Sequence, residues 1–312
     1  MQRFVHIIAG PTASGKTAFG IELAQQICHE KGQDCVIINA DSMQIYAALP
    51  ILTAQPDAEE QASVEHRLYG VLDPALSCTA VKWRDMAIEE ISRCFEAGKQ
   101  PILVGGTGFY MQALTDGLSP IPEVAEDIHA LILAQSENDV ESLYQELRQI
   151  DPVLANRLNP ADKQRIARGV EVFRSTGKPL SEWQKEPLSP PPHDWQFEIT
   201  VLRPDRGWLH ERINNRVPKM LELGAMEEVR DLAVQIEKGR IPETAGIVRA
   251  HGFRAFRRHL NGECSLEDAI AYTQTETRQY AKRQDTWFGN QLLKADLTQH
   301  ERINNVSAKT LP

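Results

Sequence analysis

Phe4-Val5-His6-Ile7-Ile8-Ala9, running straight into Gly10-Pro11-Thr12-Ala13-Ser14-Gly15-Lys16-Thr17, decides how the rest of this 312-residue chain is read. The first six residues are a short apolar run suited to a buried strand. The next eight match G-x-x-x-x-G-K-[ST] in full. Ala18 to Ile27 then carries apolar residues at helical spacing. Strand, glycine loop and helix are the setting in which this pattern has a mechanism. Backbone N–H groups of the loop and the helix N-terminus cradle anionic oxygens. Lys16 adds a point charge, and the Thr17 hydroxyl can ligate Mg²⁺ on the same phosphates. A turn that only started a helix would not need Lys-Thr after its second glycine. A ligand carrying a diphosphate or triphosphate is therefore expected. By pattern the loop is nucleotide-binding, with ATP the obvious guess, and it does not say whether the phosphate is transferred, hydrolysed or discarded.

The length suits one large α/β domain plus an insertion, or two domains. No apolar run approaches the eighteen or so residues of a membrane helix, and the N-terminus lacks the regions of a signal peptide. Cys28, Cys35, Cys78, Cys94 and Cys264 form no C-x-x-C pair and read as reduced thiols in a cytoplasmic protein. The net charge of −9 argues against a nucleic-acid partner until its distribution is considered. Residues 1–150 hold 9 Lys and Arg against 21 Asp and Glu, a net of −12; the remainder holds 25 against 22, a net of +3. That asymmetry permits a polyanionic partner on the second half.

Further along, Cys35 to Ala40 predicts a second strand ending in Asp41-Ser42-Met43-Gln44. Ligands sit at the carboxyl ends of strands in a parallel sheet, which places Asp41 near the phosphate loop. It is either a helix N-cap or a carboxylate placed to hold a metal-bound water or accept a proton. Residues 47–64 read as an irregular, exposed loop and 66–72 as a short strand. Val81 to Ala97 has the period of a helix with Gly98 as its C-cap. A third strand over 101–104 runs into a second glycine turn, Gly105-Gly106-Thr107-Gly108, where close backbone approach to a ligand is expected. From about Ser119 the pattern turns wholly helical, with no strand until Gln196 to Leu202, and 187–194 is a proline-rich linker. Within this stretch Lys163, Arg165, Arg168, Arg174 and Lys178 form either a solvated basic face or a phosphate-contacting one. Helices follow over 208–223, with Arg212, Arg216 and Lys219, and over 266–287, with Lys282, Arg283, Tyr280 and Trp287. The fold class is thus α/β, a P-loop NTPase-like parallel sheet core (1–118 and 196–312) with a helical insertion domain (119–195) and a helical C-terminal part.

Taken together these blocks resemble the bacterial tRNA dimethylallyltransferase (tRNA isopentenyltransferase) family. The likeness runs through residues 10–17, Asp41-Ser42-Met43-Gln44, Gly105 to Tyr110, Gln164-Arg165-Ile166-Ala167-Arg168 with Glu171, Arg212-Ile213 with Arg216 and Met220, and Tyr280-Ala281-Lys282-Arg283-Gln284 with Thr286-Trp287-Phe288. The blocks stand in family order from residue 4 to about 291. The resemblance implies transfer of a dimethylallyl group from dimethylallyl diphosphate to the exocyclic N6 amine of the adenine just 3′ of the tRNA anticodon. It implies that Gly10, Thr12, Ala13, Ser14, Gly15, Lys16 and Thr17 bind the diphosphate, Thr17 through Mg²⁺ as the one cofactor. Asp41 would be the general base, Arg216 a cation on the departing diphosphate, and Thr107 a group at the reacting centre. Asp41, Ser42, Met43, Gln44, Thr107, Gln164, Arg165, Ile166, Ala167, Arg168, Lys282 and Arg283 would contact tRNA, the helical insertion gripping the anticodon stem-loop.

The chain departs from the family at Leu52, Gln55, Glu65, His129 and Gly289, which bears on loop geometry and tRNA affinity. Two rival readings are a nucleotide kinase or free-AMP prenyltransferase on the same core, and a non-catalytic GTP- or ATP-binding module. The insertion is large for a kinase lid, and no N-K-x-D base-recognition motif occurs. No membrane and no obligate protein partner is expected, and a monomer is the default.

Overall fold

Four of these apolar runs make strands because both faces of a parallel sheet are covered, and each face needs its own apolar set. The computed structural model, which describes residues 3–190, 194–292 and 303–307, builds β1 (Arg3–Ala9), α1 (Lys16–Lys31), β2 (Cys35–Asn39), α2 (Ala58–Ser63), β3 (Glu65–Arg67), α3 (Ala80–Glu96), β4 (Gln100–Gly105) and α4 (Gly108–Thr115). Five helices follow: α5 (Glu126–Asn138), α6 (Val140–Ile150), α7 (Pro152–Ala155), α8 (Lys163–Thr176) and α9 (Leu180–Trp183). The chain then returns as β5 (Trp195–Arg203), α10 (Arg206–Glu222), α11 (Ala225–Glu237), a 3-10 turn (Gly246–Arg249), α12 (Phe253–Leu260), α13 (Leu266–Gln291) and β6 (Ile303–Ser307). Two units result, one of residues 1–115 and 192–312, the other of 116–191.

In the first unit the six strands are parallel, in the order β3-β2-β4-β1-β5-β6. Val5, Ile7, Val36, Ile38, Leu103 and Phe197 face one side, against Trp83 and Ile91 of α3 and Phe253 and Phe288 of the C-terminal helices. The alternate residues Ile8, Ile37, Ile102 and Val104 face the other, against Ala24 and Ile27 of α1. Ala9 pairs with Gly105 and Asn39 with Val104. The carboxyl ends of β1, β2 and β4 therefore finish level, and each releases its turn at the same edge of the sheet.

Pro218 stands inside α10. It has no N–H to give the carbonyl four residues back, and that carbonyl, on Asn214, instead accepts from Gln274 Nε2 of α13 at 3.0 Å. Arg278 of α13 adds a bond to Asn214 Oδ1. The helix break is thus converted into a dock for α13, two residues from Arg216.

The second unit has its own core of Ile132, Leu143, Leu147, Leu154, Ile166, Val170, Val172 and Leu180. Buried Asp151 caps α7 through Leu154 N–H and also accepts from Ser181 N–H, tying α9 to it. Ser189 N–H donates to the Leu118 carbonyl, so the segments entering and leaving the unit pair. Of the expected proline-rich linker, 191–193 lie outside the described residues.

Residues 47–64 are not the exposed loop expected from their prolines and acids. Leu49 and Leu52 are buried, Gln44 Nε2 donates to the Thr53 and Ala54 carbonyls, and Asp57 with Glu60 forms a capping box on α2. Gln55 Nε2 holds the Tyr46 carbonyl and Glu65 pairs with Lys99, so these departures from the family pattern are absorbed locally. The strand expected over 66–72 stops at Arg67 because Leu68 and Gly70 take positive φ; only Leu72 pairs again, with Tyr46. Ala97 is the C-cap of α3, with left-handed Gly98 just beyond it. No helix among the described residues is long and apolar enough to cross a membrane.

Glu228 of α11 accepts from the N–H groups of both Ile51 and Leu52. Glu228→Ala strands two half-buried donors and is expected to lower unfolding free energy by about 1–3 kcal/mol, read from the urea midpoint at constant m-value.

Candidate active site

The turn after β1 is built for an anion. Gly15 takes φ +89, which glycine tolerates, and Ala13 takes φ +64, which costs it roughly 1–2 kcal/mol. Successive N–H groups in such alternating conformations converge into a nest. Helix α1 begins here with no side-chain cap and no acid in its first turn, unlike α3, α10 and α13, which Thr79, Asp205 and Ser265 cap. Its leading amides are open to a ligand. Ser14 Oγ is fully buried and has no hydrogen-bond partner among the described residues, as suits a hydroxyl kept for a phosphate oxygen.

Three charges meet beside this turn. Lys16 Nζ donates to the Pro11 carbonyl at 2.8 Å, and Arg216 Nη2 donates to Thr12 Oγ1 at 3.1 Å. Burial pushes the Lys16 ammonium down to about 8, opposed by Asp41 and reinforced by Arg216. Burial likewise lowers Arg216 to about 10, again opposed by Asp41, with Arg212 adding to the fall. Two desolvated cations share one carboxylate, and a polyanion is the ligand that completes the balance.

Asp41 is not a helix cap, because no helix follows it. Its Oδ1 accepts from Met43 N–H in an Asx turn, and its own N–H donates to Asn39 Oδ1. Asn39, fully buried, also donates to the Asp41 and Leu68 carbonyls, so it holds the turn from both sides. Thr107 Oγ1 accepts from Ser42 N–H at 2.9 Å, and Thr107 N–H donates to the Ala40 carbonyl, joining the second glycine turn to the Asp41 turn. Burial, then the Asp41 charge, raises the Tyr280 hydroxyl above the usual phenol range.

The close backbone approach expected at the second glycine turn is real, but its cause is α13. A Cβ on Gly106 would fall 2.3 Å from Gln284 Nε2, and one on Gly108 would fall 2.1 Å from the Trp287 ring. Trp287 packs against the main core, as large aromatics mostly do.

The structure therefore brings Gly10 to Thr17, Asp41, Ser42, Met43, Thr107 and Arg216 into one neighbourhood. Among the residues expected to meet tRNA, Gln44 spends its amide N–H groups on the 53–54 carbonyls. Lys282 is exposed, and Arg283 lies over the Tyr280 ring at 5.6 Å. On α8, Gln164, Arg165 and Arg168 face outward. Ile166 does not: it is fully buried in the second unit's core, and Ala167 packs against that core, so the Ile166 side chain is unavailable for contact. Most of the basic run is already paired, Lys163 with Glu137, Arg168 with Glu171 and Arg174 with Glu146; Arg165 is the most exposed, 3.6 Å from Asp162. His129 also pairs with Glu171.

Asn39 and Gln284 are the residues that sequence reasoning left out of the site. A polar residue closing an apolar strand marks the first. The second falls in the buried stripe Thr273, Thr277, Ala281, Gln284, Phe288 of α13, where a long amide is the exception.

As to magnesium, the Thr17 hydroxyl and a carboxylate at Asp41 are hard oxygen donors of the kind it takes. No group of three or more His, Cys, Asp or Glu among the described residues could hold a metal alone. Any Mg²⁺ here would need the ligand's own phosphate oxygens, which fits a loop of this design.

Comparison with known proteins now adds a name to this geometry. The model of the IPP transferase family matches residues 44–291. The chain belongs to the IPP transferase family. It is 44% identical over 287 residues to the tRNA dimethylallyltransferase of Azorhizobium caulinodans, covering 92% of this chain and 89% of that one. With that of Paramagnetospirillum magneticum it shares 42% over 308 residues, 98% and 93% of the two chains. Among solved structures it resembles the full-length tRNA isopentenylpyrophosphate transferase of Bacillus halodurans (TM-score 0.62, 31% identity, 98% and 90% covered). It also resembles a eukaryotic dimethylallyltransferase acting on tRNA (TM-score 0.79, 28% identity, 98% and 75% covered). As in other IPP transferase family members, a P-loop-like parallel sheet forms the core.

Because Lys16 sits at about 8 beside Asp41 and Arg216, its charge in the free protein is lost as pH rises through that value. The affinity for inorganic diphosphate, taken as a ratio to Lys16→Arg so that the ligand's own ionisation cancels, is expected to fall between pH 7 and 9.5. Titration calorimetry measures it; a flat ratio would place the Lys16 titration outside this range.

Proposed function

We infer that the protein transfers a dimethylallyl group to tRNA, with dimethylallyl diphosphate as donor and the exocyclic N6 amine of the adenine 3′ of the anticodon as acceptor. The observation that carries this reading is the position of Asp41, a carboxylate beside two buried cations at the mouth of a phosphate loop. A kinase puts its acceptor hydroxyl at the terminal phosphate. Here the family relationship and the carboxylate together favour an amine attacking carbon, with diphosphate as the leaving group.

The nitrogen of the adenine forms a bond to C1 of the dimethylallyl group as the C1–O bond breaks, its electrons passing to diphosphate oxygen. Asp41 accepts the proton the amine releases. Lys16, Arg216 and the N–H groups of residues 13–17 meet the charge that grows on the leaving group, which is where preorganised donors lower a barrier most. Thr17 would hold Mg²⁺, which supplies further charge to the diphosphate. Thr107, fixed by Ser42 N–H, orients the amine beside Asp41. All of these residues come from one chain, so a monomer suffices.

The adenine must leave its stack to reach Asp41, at modest cost in an anticodon loop. Ser42, Met43, Lys282 and Arg283 supply contacts around the flipped base. The helical unit of 116–191 supplies Gln164, Arg165 and Arg168 for phosphates of the stem-loop.

The deciding assay incubates the protein with labelled dimethylallyl diphosphate and unmodified tRNA, AMP or ATP. Label is expected in tRNA alone; label in AMP, or phosphate released from ATP without label in tRNA, would overturn the reading. Asp41→Ala is expected to lower kcat by at least about 100-fold with tRNA Kd within about threefold; equal losses in both would make Asp41 a binding residue. Arg165→Ala is expected to weaken tRNA binding and shallow its salt dependence by about one unit of slope, with diphosphate affinity unchanged. An unaltered slope would return α8 to a solvated face.

A further inference from the structure

We propose that Gln284 is a positioning residue for the transfer, its side-chain amide setting the separation between the phosphate loop and the Asp41–Thr107 turns. The inference rests on the transferase reading above and names what holds its two halves in register. Gln284 is 6% exposed. Its Oε1 accepts from Thr12 N–H at 2.8 Å, and its Nε2 donates to the Gly106 carbonyl at 2.8 Å. One rigid planar group thus joins two loops that lie 272 and 178 residues away in sequence.

Each end of the amide leads to a reacting partner. From Thr12, the hydroxyl accepts from Arg216, so the loop and its cation move with Gln284. From Gly106, the chain passes directly to Thr107, whose hydroxyl accepts from Ser42 N–H and so holds Ser42 next to Asp41. The leaving group belongs to the first end and the accepting base to the second. Displacement at carbon needs both in line, and a shift of about 1 Å costs on the order of 100-fold in rate.

A glutamine is required for this by its chemistry. It must accept at one end and donate at the other; a carboxylate accepts at both ends and repels the Gly106 carbonyl. Gly106 is required for the same reason, since a Cβ there would meet Nε2. Docking of α13 does not depend on this residue: Thr273, Thr277, Ala281 and Phe288 are buried along it, and Gln274 and Arg278 bind Asn214. The link also assigns the Thr12 N–H to Gln284, so Thr12 serves the diphosphate through its hydroxyl.

The test uses Gln284→Glu and Gly106→Ala in the full chain, with dimethylallyl diphosphate, tRNA and Mg²⁺. For Gln284→Glu at pH 8 the expected result is a kcat about 100-fold below wild type, KM values within about threefold and the circular dichroism spectrum of the folded protein at the assay temperature. Its kcat should rise relative to wild type as pH falls toward 6, because a protonated glutamic acid regains a donor for the Gly106 carbonyl. Gly106→Ala should show the same loss without the recovery. A Gln284→Glu kcat within twofold of wild type at pH 8, or a loss that tracks melting with no pH recovery, would sink the proposal. Wild-type protein that transfers no label to tRNA would instead overturn the transferase reading and this inference with it.

Discussion

The parallel ladder joining β2, β4 and β1 is the constraint on which the rest depends. Its register sets Asn39 level with Val104 and Ala9 level with Gly105, and three turns leave the sheet within reach of one another. The register cannot drift. A slip of one residue would exchange Ile7 and Ile38 with Ile8 and Ile37, turning the whole apolar set of one face onto the other. Both faces are covered, by α1 on one side and by α3 and the C-terminal helices on the other, so each slip is opposed from two directions. The site inherits its geometry from core packing, and the chemistry is added at the strand ends without altering the strands.

Electrostatics then distinguishes the two units. In the first, Lys16 and Arg216 are buried with a single carboxylate, and both are driven toward neutrality by that burial. Such an arrangement costs stability and is relieved by an anion, which is how a site can be marked by its own expense. In the second, the cations of α8 are partnered by acids on its surface. Glu171, itself buried, takes both Arg168 and His129. The basic run that looks suggestive in sequence is therefore a partly neutralised face, and the arginine with most freedom to meet a phosphate is Arg165.

What could be read in the sequence was whatever is local. The phosphate loop, the strand over 4–9, the second strand, and α3 declare themselves within a dozen residues, because periodicity and glycine placement are properties of short windows. The 47–64 segment misled because prolines and acids imply exposure, while its order comes from Gln44 and Glu228, which lie outside the segment, and from Gln55 reaching back to the Tyr46 carbonyl. Helices α11 and α12 passed without notice although left-handed glycines bracket them, Gly224 and Gly239 around the first and Gly252 and Gly262 around the second. Ile166 is a different case. Within the block of five residues expected to meet tRNA, helical spacing alone puts Ile166 and Val170 on one face and Arg165 and Arg168 on another, and the first of these faces is the buried one.

Gln284 shows why function and packing are hard to separate at this site. Read along α13, it occupies a core position, between Ala281 and Phe288 in a stripe that docks the helix. Read across the site, it bonds both turns. The glycines opposite behave alike: Gly106 and Gly108 admit α13 rather than a ligand, yet by admitting it they let the helix gauge the distance between leaving group and base. A 26-residue helix fixed at Asn214 by the proline break in α10 is a stiff ruler. Placing the bridging amide on that helix, and not on either loop, means that neither loop can shift alone. The loops can then remain short and glycine-rich, with backbone groups free for phosphate and nucleobase, because their spacing is held from a third element.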